Sequence, residues 1–316
     1  MSGQQVGRRT VLKGIGAAIA TGSVASTATA STTDWTIVET ETDNTLHDVV
    51  SASAGRYAVG NSGVLLTQNG DLWEIVRQSG PTGNGNSLYG ADVTDDGDRV
   101  WFVGSSGAIG EYVPATDTLY DHSSPNDNTN NYNGVAVTGP AGDANVYVAG
   151  DSGHIFYSFE NGEAGTWDYV TPGSGSAIKA IDFHGPKSGH AIDGNGKVFA
   201  TDDGVTWNVI GVEDANVSFY GVDSDAADDV TVSGGNGTLL DWDGSKWTVD
   251  QLGDKTFVDV EVSGTDGIAV GSSGTVHEIV DGVREALDTP TGQNLHAVIR
   301  DGTDVAVGAS GTVIES

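Results

Sequence analysis

A short turn bounded by glycines recurs along this chain and restricts the folds open to it. In "AVGNSGVLL", residues 58–66, an apolar run ends at Gly-Asn-Ser-Gly and a second apolar run begins directly after it. Successive turns start 37 to 46 residues apart. Self-similarity at such a period is typical of repeat architectures. Six such turns occupy residues 60–63, 104–107, 150–153, 234–237, 271–274 and 308–311, and Asp193-Gly-Asn-Gly196 takes the seventh place.

Each repeat contains four short runs rich in β-branched, aromatic and aliphatic residues, separated by Gly, Asn and Asp. Such runs are typical of β-strands. The second run ends at the glycine turn, the third begins there, and the fourth opens with Trp73, Trp167, Trp207 or Trp247 in four of the repeats. The first runs are residues 46–51, 88–93, 132–137, 178–183, 219–224, 257–262 and 295–300. Seven repeats of four antiparallel strands predict an all-β fold, a seven-bladed β-propeller of four-stranded blades.

The two ends of the repeat region complement each other. The last repeat stops after its third run, and "DWTIVE" at residues 34–39 resembles the fourth run "LWEIVR" at residues 72–77. We therefore expect this N-terminal strand to complete the last blade and to close the ring, which removes exposed sheet edges. Residues 34–316 would then form a single domain. A linear solenoid, the alternative, would need atypical capping repeats at both ends.

Residues 1–30 have the pattern of an export signal. "GRRTVLK" at residues 7–13 resembles a twin-arginine motif, a weakly apolar run follows, and Ala28-Thr29-Ala30 is a typical cleavage site. The pattern predicts a twin-arginine signal peptide and a protein located outside the cell or at its surface. We expect no membrane-spanning segment, because no run reaches about 20 strongly apolar residues. The chain contains no cysteine, so disulfides are excluded.

The acidic composition restricts the partners. The chain has 44 acidic side chains against 13 Lys and Arg, a formal net charge of −31. Such a charge repels phosphate backbones, which argues against nucleic-acid binding. The scattered acids are typical of proteins adapted to very high salt, although an ordinary acidic secreted protein remains the alternative.

One turn carries a family resemblance. "ATDDGVTW" at residues 200–207 resembles the Asp-box of bacterial neuraminidase-type repeats, with matches at Asp202, Gly204, Thr206 and Trp207. The whole repeat is similar to the WD/YVTN/BNR-like repeats of photosystem II stability/assembly-factor-like propellers. The resemblance implies a propeller fold, a structural role for the Asp-box, and a binding, scaffold or assembly role. One option is an assembly factor for a membrane complex, although few basic residues are present to form that family's client-binding patch.

The same resemblance leaves an enzymatic alternative, a sialidase/glycoside-hydrolase-like or lyase-type enzyme acting on extracellular glycan. Sialidases use three arginines for the substrate carboxylate, a Tyr nucleophile with its Glu, and an acidic Asp. The arginines beyond the export signal do not obviously converge on the channel mouth, so we predict no enzyme and no catalytic residues. These arginines are Arg56, Arg77, Arg99, Arg284 and Arg300.

Metal and modification signals are weak. The acid-rich segments 92–100 and 223–230 lack the ligand spacing of a calcium loop, and the histidines form no zinc-type pair. We therefore predict no metal site and no cofactor, with a structural Ca²⁺ ion left open. Asn216 and Asn236 match the glycosylation pattern, and Asn236 is the better candidate because it lies in a predicted exposed turn.

Aligning the repeats predicts a binding site. The second residue of each first strand should lie near the inner edge of the ring, and the first and seventh copies become neighbours when the ring closes. Together these side chains could bind a glycan or a peptide end by stacking and hydrogen bonding, or could merely line a water-filled channel. The ring-mouth residues are His47, Tyr89, Asn133, Lys179, Tyr220, Val258 and His296.

Strand order places two long polar connections, residues 78–87 and 123–132, on the same face as the glycine turns. Long loops on a rigid scaffold are common binding sites, although these could equally be solvated linkers. The sequence thus predicts an exported, monomeric, non-catalytic binding, scaffold or assembly module whose partner is a protein or glycan at the cell surface.

Overall fold

A computed structural model describes residues 34–212 and 216–316. The predicted signal peptide, residues 1–30, lies outside the described residues. No helix in the described ranges is long and apolar enough to cross a membrane.

The described chain consists of short β-strands joined by tight turns. The strands of repeat 1 are β2 (Leu46–Ala52), β3 (Gly55–Gly60), β4 (Leu65–Asn69) and β5 (Leu72–Arg77), and β1 (Thr36–Thr40) precedes them. Repeat 2 has β6 (Leu88–Val93), β7 (Val100–Gly104), β8 (Ile109–Val113) and β9 (Thr118–Asp121). Repeat 3 has β10 (Tyr132–Thr138), β11 (Asn145–Gly150), β12 (Ile155–Ser158) and β13 (Asp168–Val170). Repeat 4 has β14 (Ile178–Phe183), β15 (Gly189–Asp193), β16 (Val198–Thr201) and β17 (Asn208–Val209).

The remaining repeats follow the same plan. Repeat 5 has β18 (Phe219–Ala226), β19 (Asp229–Gly234), β20 (Thr238–Trp242) and β21 (Trp247–Gln251). Repeat 6 has β22 (Phe257–Ser263), β23 (Asp266–Gly271), β24 (Val276–Val280) and β25 (Val283–Leu287), and repeat 7 has β26 (Leu295–Asp301), β27 (Thr303–Gly308) and β28 (Val313–Glu315). Single-turn 3-10 helices occupy Asn61–Gly63, Ser105–Gly107, Pro114–Thr116, Pro125–Asp127, Ser272–Gly274 and Ala309–Gly311.

The strands form repeated four-stranded sheets. Repeats 2 to 6 each form an antiparallel sheet of four consecutive strands, and repeats 1 and 7 join in one eight-stranded sheet ordered β2-β3-β4-β5-β1-β28-β27-β26. Within it, β1 pairs antiparallel with β28, where Ile37 lies opposite Ile314, and parallel with β5, where Glu39 lies opposite Leu72. The N-terminal strand therefore lies beside the C-terminal strand, in the position that the sequence predicts.

The first strands of the seven repeats surround a common centre. Each contacts the first strand of the next repeat, and β26 contacts β2, so the contacts form a closed cycle. The core lies between neighbouring sheets: one buried cluster contains Val50 of repeat 1 and Phe102 of repeat 2, and another contains Leu46 of repeat 1 and Val307 of repeat 7. This all-β arrangement of repeated four-stranded sheets is a β-propeller.

The turn of repeat 1 shows why glycine is needed at both of its ends. The first glycine is extended, with φ −164° at Gly60, and a Cβ atom there would lie 2.3 Å from the carbonyl oxygen of Thr45. The last glycine, Gly63, has φ +68°. The positive φ therefore favours glycine at the last position, whereas the first glycine is required by the close approach of the chain that enters the same repeat.

The Asp-box turn of repeat 4 is held by a different aspartate from the one that the motif suggests. Asp203 Oδ1 accepts hydrogen bonds from the backbone N–H groups of Thr206 (2.6 Å) and Val205 (2.8 Å). These bonds lower the pKa of Asp203 to about 2. Trp207 packs against the core shared by repeats 3 and 4, which is a structural role for the motif.

Buried carboxylates tie neighbouring repeats together. Asp92, in the first strand of repeat 2, accepts a hydrogen bond from the backbone N–H of Val137 in the first strand of repeat 3 at 2.6 Å. Because an innermost strand has no strand partner on its channel side, these acceptors satisfy backbone donors that would otherwise be buried without a partner. The same link joins Asp48 to Ala91, Asp182 to Ser224, Asp223 to Val262, and Asp259 to Val298.

Candidate functional site

A β-bulge occurs at the same place in every first strand. In repeat 1 the pairing of β2 with β3 runs from Leu46 to Asp48 and skips His47. A bulge leaves one residue out of the ladder and re-aims its side chain. The skipped residue is the second of its strand in all seven repeats: His47, Tyr89, Asn133, Lys179, Tyr220, Val258 and His296.

These seven residues line one cavity of about 340 Å³ at the centre of the ring. The structure therefore brings all the ring-mouth residues together, and their role in binding stays a prediction. Small residues at the next position of several strands, such as Gly134 and Ala180, leave room beneath them. Sequence reasoning missed two carboxylates in the wall, Asp48 and Asp259; both are the third residue of a first strand, so the same alignment could have found them.

The cavity opens on the face that carries the glycine turns. His47 Nε2 lies 2.8 Å from Oδ1 of Asn61, which belongs to the turn of repeat 1. Asn133 Nδ2 donates to Oδ1 of Asp151, in the turn of repeat 3, at 2.9 Å. The long connection 78–87 also lies here, because the Ser79 N–H donates to the carbonyl oxygen of Ser62.

Two stacked histidines lie where the last repeat meets the first. The rings of His47 and His296 are nearly parallel, at 8°, with centroids 5.3 Å apart, and Tyr89 approaches His47 edge-on at 5.2 Å. His296 Nδ1 donates to the carbonyl oxygen of Leu46 at 3.0 Å, which leaves Nε2 as an acceptor. Burial lowers the pKa of both histidines, and His47 further lowers the pKa of His296. The pair is therefore neutral near pH 7.

Some ring-mouth side chains also join neighbouring repeats. Asn133 of repeat 3 donates to the carbonyl oxygen of Ile178, the first residue of the next inner strand, at 2.8 Å. His296 makes the equivalent bond to Leu46. These two side chains therefore stabilise the ring in addition to lining its cavity.

Three other ring-mouth groups are available to a ligand. Within residues 34–212 and 216–316, the Lys179 ammonium group and the Tyr89 and Tyr220 hydroxyls have no hydrogen-bond or ion-pair partner. Tyr220 is also 42% exposed, so a ligand can reach its ring. The cavity thus presents one cation and two hydroxyls that the fold itself does not use.

The arginines are engaged elsewhere. Every arginine in the described part of the chain has an acidic partner, and none of them lines the central cavity. Arg284, for example, contacts both Asp241 and Asp250. The described residues thus do not assemble at the cavity the three-arginine site that a sialidase needs.

The metal and glycosylation candidates can also be located. Among the described residues, no three His, Asp or Glu side chains come together in a way that could hold a metal ion. In the acid-rich segment 92–100, Asp92 and Asp96 instead accept backbone hydrogen bonds. Asn216 and Asn236 are both exposed, and Asn236 lies in a turn with φ +56°; their glycosylation stays a prediction.

Comparison with known proteins supports the fold. No protein-family model matches the chain, and no curated protein matches it. Among solved structures, YCF48 from Cyanidioschyzon merolae is 17% identical, with a TM-score of 0.69 over 89% of this chain and 98% of that one. YCF48 bound to D1 peptide is 13% identical, with a TM-score of 0.71 over 89% and 96%. The WD40 β-propeller domain of Doa1 is 13% identical, with a TM-score of 0.71 over 90% and 97%. The chain is a β-propeller, similar in structure to YCF48 and to a WD40 propeller.

Proposed function

We propose that this protein is a seven-bladed propeller that acts as a non-catalytic binding or assembly module. It holds an extended segment of a client protein at the mouth of its central cavity. The observation that carries the proposal is the row of equivalent bulged residues that line one cavity while the Lys179, Tyr89 and Tyr220 polar groups remain available.

The blade count rests on treating the eight-stranded sheet as two blades joined between β5 and β1. The closed cycle of seven first strands supports this count. In this assignment β1 is the outer strand of the last blade, and its parallel pairing with β5 is a contact between blades.

A protein client is favoured over a glycan by the comparisons. One of the similar structures is described as bound to a D1 peptide. The cavity walls offer aromatic rings and hydrogen-bonding groups of the kind that bind peptide segments. We place this activity outside the cell or at its surface, on the strength of the predicted export signal, and in a very salty medium, on the strength of the acidic composition.

The arrangement of the cavity carboxylates supports a non-catalytic role. A general acid or base must be within hydrogen-bond reach of a reacting group. Asp48 Oδ1 and Oδ2 instead accept the backbone N–H groups of Val49 and Ala91, and Asp259 accepts that of Val298. These carboxylates are occupied by the fold.

Site-directed photo-crosslinking in the producing cells tests this proposal. A benzoylphenylalanine at Tyr220, on the cavity mouth, should crosslink a small and reproducible set of proteins from the membrane or medium fraction. The matched control carries benzoylphenylalanine in place of Val249, which is 50% exposed on the outer strand β21. No crosslinks at Tyr220, or the same set from both positions, would refute a client site at the cavity.

A further inference from the structure

We infer that the central cavity recognises the free carboxylate at the end of a peptide, with Lys179 as the cation that binds it. The aromatic wall formed by His47, His296 and Tyr89 receives the last side chain of that peptide. This inference rests on the proposed function and specifies the ligand chemistry of the same site.

Lys179 is the starting point because its charge is not neutralised by the fold. The sequence has 44 acidic residues, yet no described carboxylate lies within ion-pair distance of this ammonium group. Lys179 is half-buried among the residues that line the cavity. A partly desolvated cation gains most from a partner that brings the opposite charge to it. A ligand carboxylate supplies that partner.

The neighbours of Lys179 suit an anion. Tyr220 follows Lys179 around the ring, and its hydroxyl is a donor without a partner in the described chain. Asn133 precedes Lys179, and its amide nitrogen already donates to Asp151 and Ile178. Two groups, the Lys179 ammonium and the Tyr220 hydroxyl, are therefore free to donate to the two oxygens of one carboxylate.

On the opposite side of the ring the mouth residues are aromatic or apolar, and the wall carboxylates next to them, Asp48 and Asp259, accept backbone hydrogen bonds. His296, His47 and Tyr89 follow one another there as a stacked pair with an edge-on neighbour, and Val258 precedes them. Neutral rings in this arrangement provide faces and edges against which an aromatic or aliphatic side chain packs. The ring-mouth residues thus provide a cation on one side and uncharged rings on the other, which suits the terminal carboxylate and the last side chain of a peptide.

A chain end fits better than a passing chain. Below the ring-mouth residues, the fifth positions of four first strands carry buried carboxylates, at Asp92, Asp182, Asp223 and Glu261. An anion that moved past Lys179 would approach these groups and lose its cation. The carboxylate must therefore stop at the level of Lys179, where the peptide ends.

The test uses two pentapeptide probes with the sequence Gly-Ser-Gly-Ser-Phe and a dye at the N-terminus. One probe ends in a free carboxylate and the other in an amide. Binding to the full-length protein is measured by fluorescence anisotropy at about 1 M salt, where screening removes the repulsion from distant acids. The acid should bind at least about tenfold more tightly than the amide, since a charge-assisted pair contributes this much or more. Replacing the terminal Phe with Gly should weaken the acid probe.

The variant Lys179→Met should abolish the difference between the two probes. The variant Lys246→Met removes the same charge from an exposed turn and should preserve that difference. Equal binding of acid and amide, or an unchanged preference in K179M, would overturn the carboxylate assignment while leaving client capture at Tyr220 intact. Absence of binding of both probes at ~1 mM would overturn it as well. Crosslinking tests the proposed function separately, because it does not depend on either probe.

Discussion

The carboxylates that link neighbouring inner strands should contribute strongly to stability, and Asp92 offers the sharpest test. Asp92 is 5% exposed, and its two oxygens accept the backbone N–H groups of Val93 at 2.8 Å and Val137 at 2.6 Å. In Asp92→Ala both donors lose their acceptor. Both also belong to residues that are at most 2% exposed, so water does not replace it.

The magnitude follows from these contacts. A buried donor left without a partner costs about 1–3 kcal/mol, and bonds to a charged acceptor are at the strong end of the range. Two such donors give an expected loss of about 3–5 kcal/mol in the free energy of unfolding. Asp92→Asn retains one acceptor oxygen and turns an amide N–H₂ toward the other donor, so we expect an intermediate loss of about 1–3 kcal/mol.

Equilibrium urea unfolding, followed by tryptophan fluorescence, measures these values. The matched control is Asp71→Ala, since Asp71 is exposed and has no hydrogen bond or ion pair with any other described residue; its effect should stay within about 0.5 kcal/mol. If D92A is no more destabilising than D71A, the carboxylate links do not hold the inner strands together and the reasoning fails.

Three further predictions concern stability. Trp35→Ala should lower the free energy of unfolding by about 3–5 kcal/mol, because this side chain of the N-terminal segment is 5% exposed in the core between repeats 6 and 7. Ile37→Ala, at a 61% exposed position nearby, should cost far less when the two variants are compared by the same urea unfolding assay. Burial lowers the pKa of His190 to about 3, so below pH ~6.5 the unfolded state binds a proton that the folded state does not. The free energy of unfolding should therefore fall by up to about 1.4 kcal/mol per pH unit below pH ~6.5. The variant His190→Asn should lose stability less steeply on acidification, and a pH profile identical to that of the unchanged protein would contradict this. Burial and the charge of Asp229 raise the pKa of Asp225 to about 6, so ionisation opposes folding as the pH rises through that value. Asp225→Asn should therefore stabilise the protein at pH ~8 by about 1–2 kcal/mol, which is less than the full pKa shift implies because the carboxyl group is partly hydrated. The same variant should have little effect below pH ~4. Equal effects of the variant in urea titrations at the two pH values would contradict this prediction.

The strands were predictable because their signal is local. The predicted first runs at residues 88–93 and 178–183 coincide with β6 and β14. Trp247 opens β21, and Trp207 directly precedes β17, as the repeat alignment suggested. Alternation, turn residues and a regular period act over a few residues each, and seven copies average out the errors of any one of them.

The internal geometry could be predicted only in part. Alignment placed His47 and His296 in adjacent repeats, but it contained no information about the bulge that turns their rings into the cavity. The roles of Asp92 and Asp203 were missed because the sequence of an acidic protein does not distinguish a carboxylate that faces solvent from one that accepts a hydrogen bond from a backbone N–H group. The N–H group that such a carboxylate contacts depends on the neighbouring repeat or on the geometry of the turn, and a few consecutive residues of sequence encode neither.

The pairing of β1 with β28 has a consequence for synthesis. Residues 36–38 and residues 313–315 lie at opposite ends of the described chain, yet each supplies the hydrogen-bonding edge that the other needs. Residues 39 and 40 of β1 can pair early with β5, but residues 36–38 have no strand partner in β28 until residues 313–315 have been made, so this closure is a slow long-range step. Nascent chains stalled before residue 313 should accumulate as protease-sensitive, aggregation-prone intermediates even when all the preceding repeats are present.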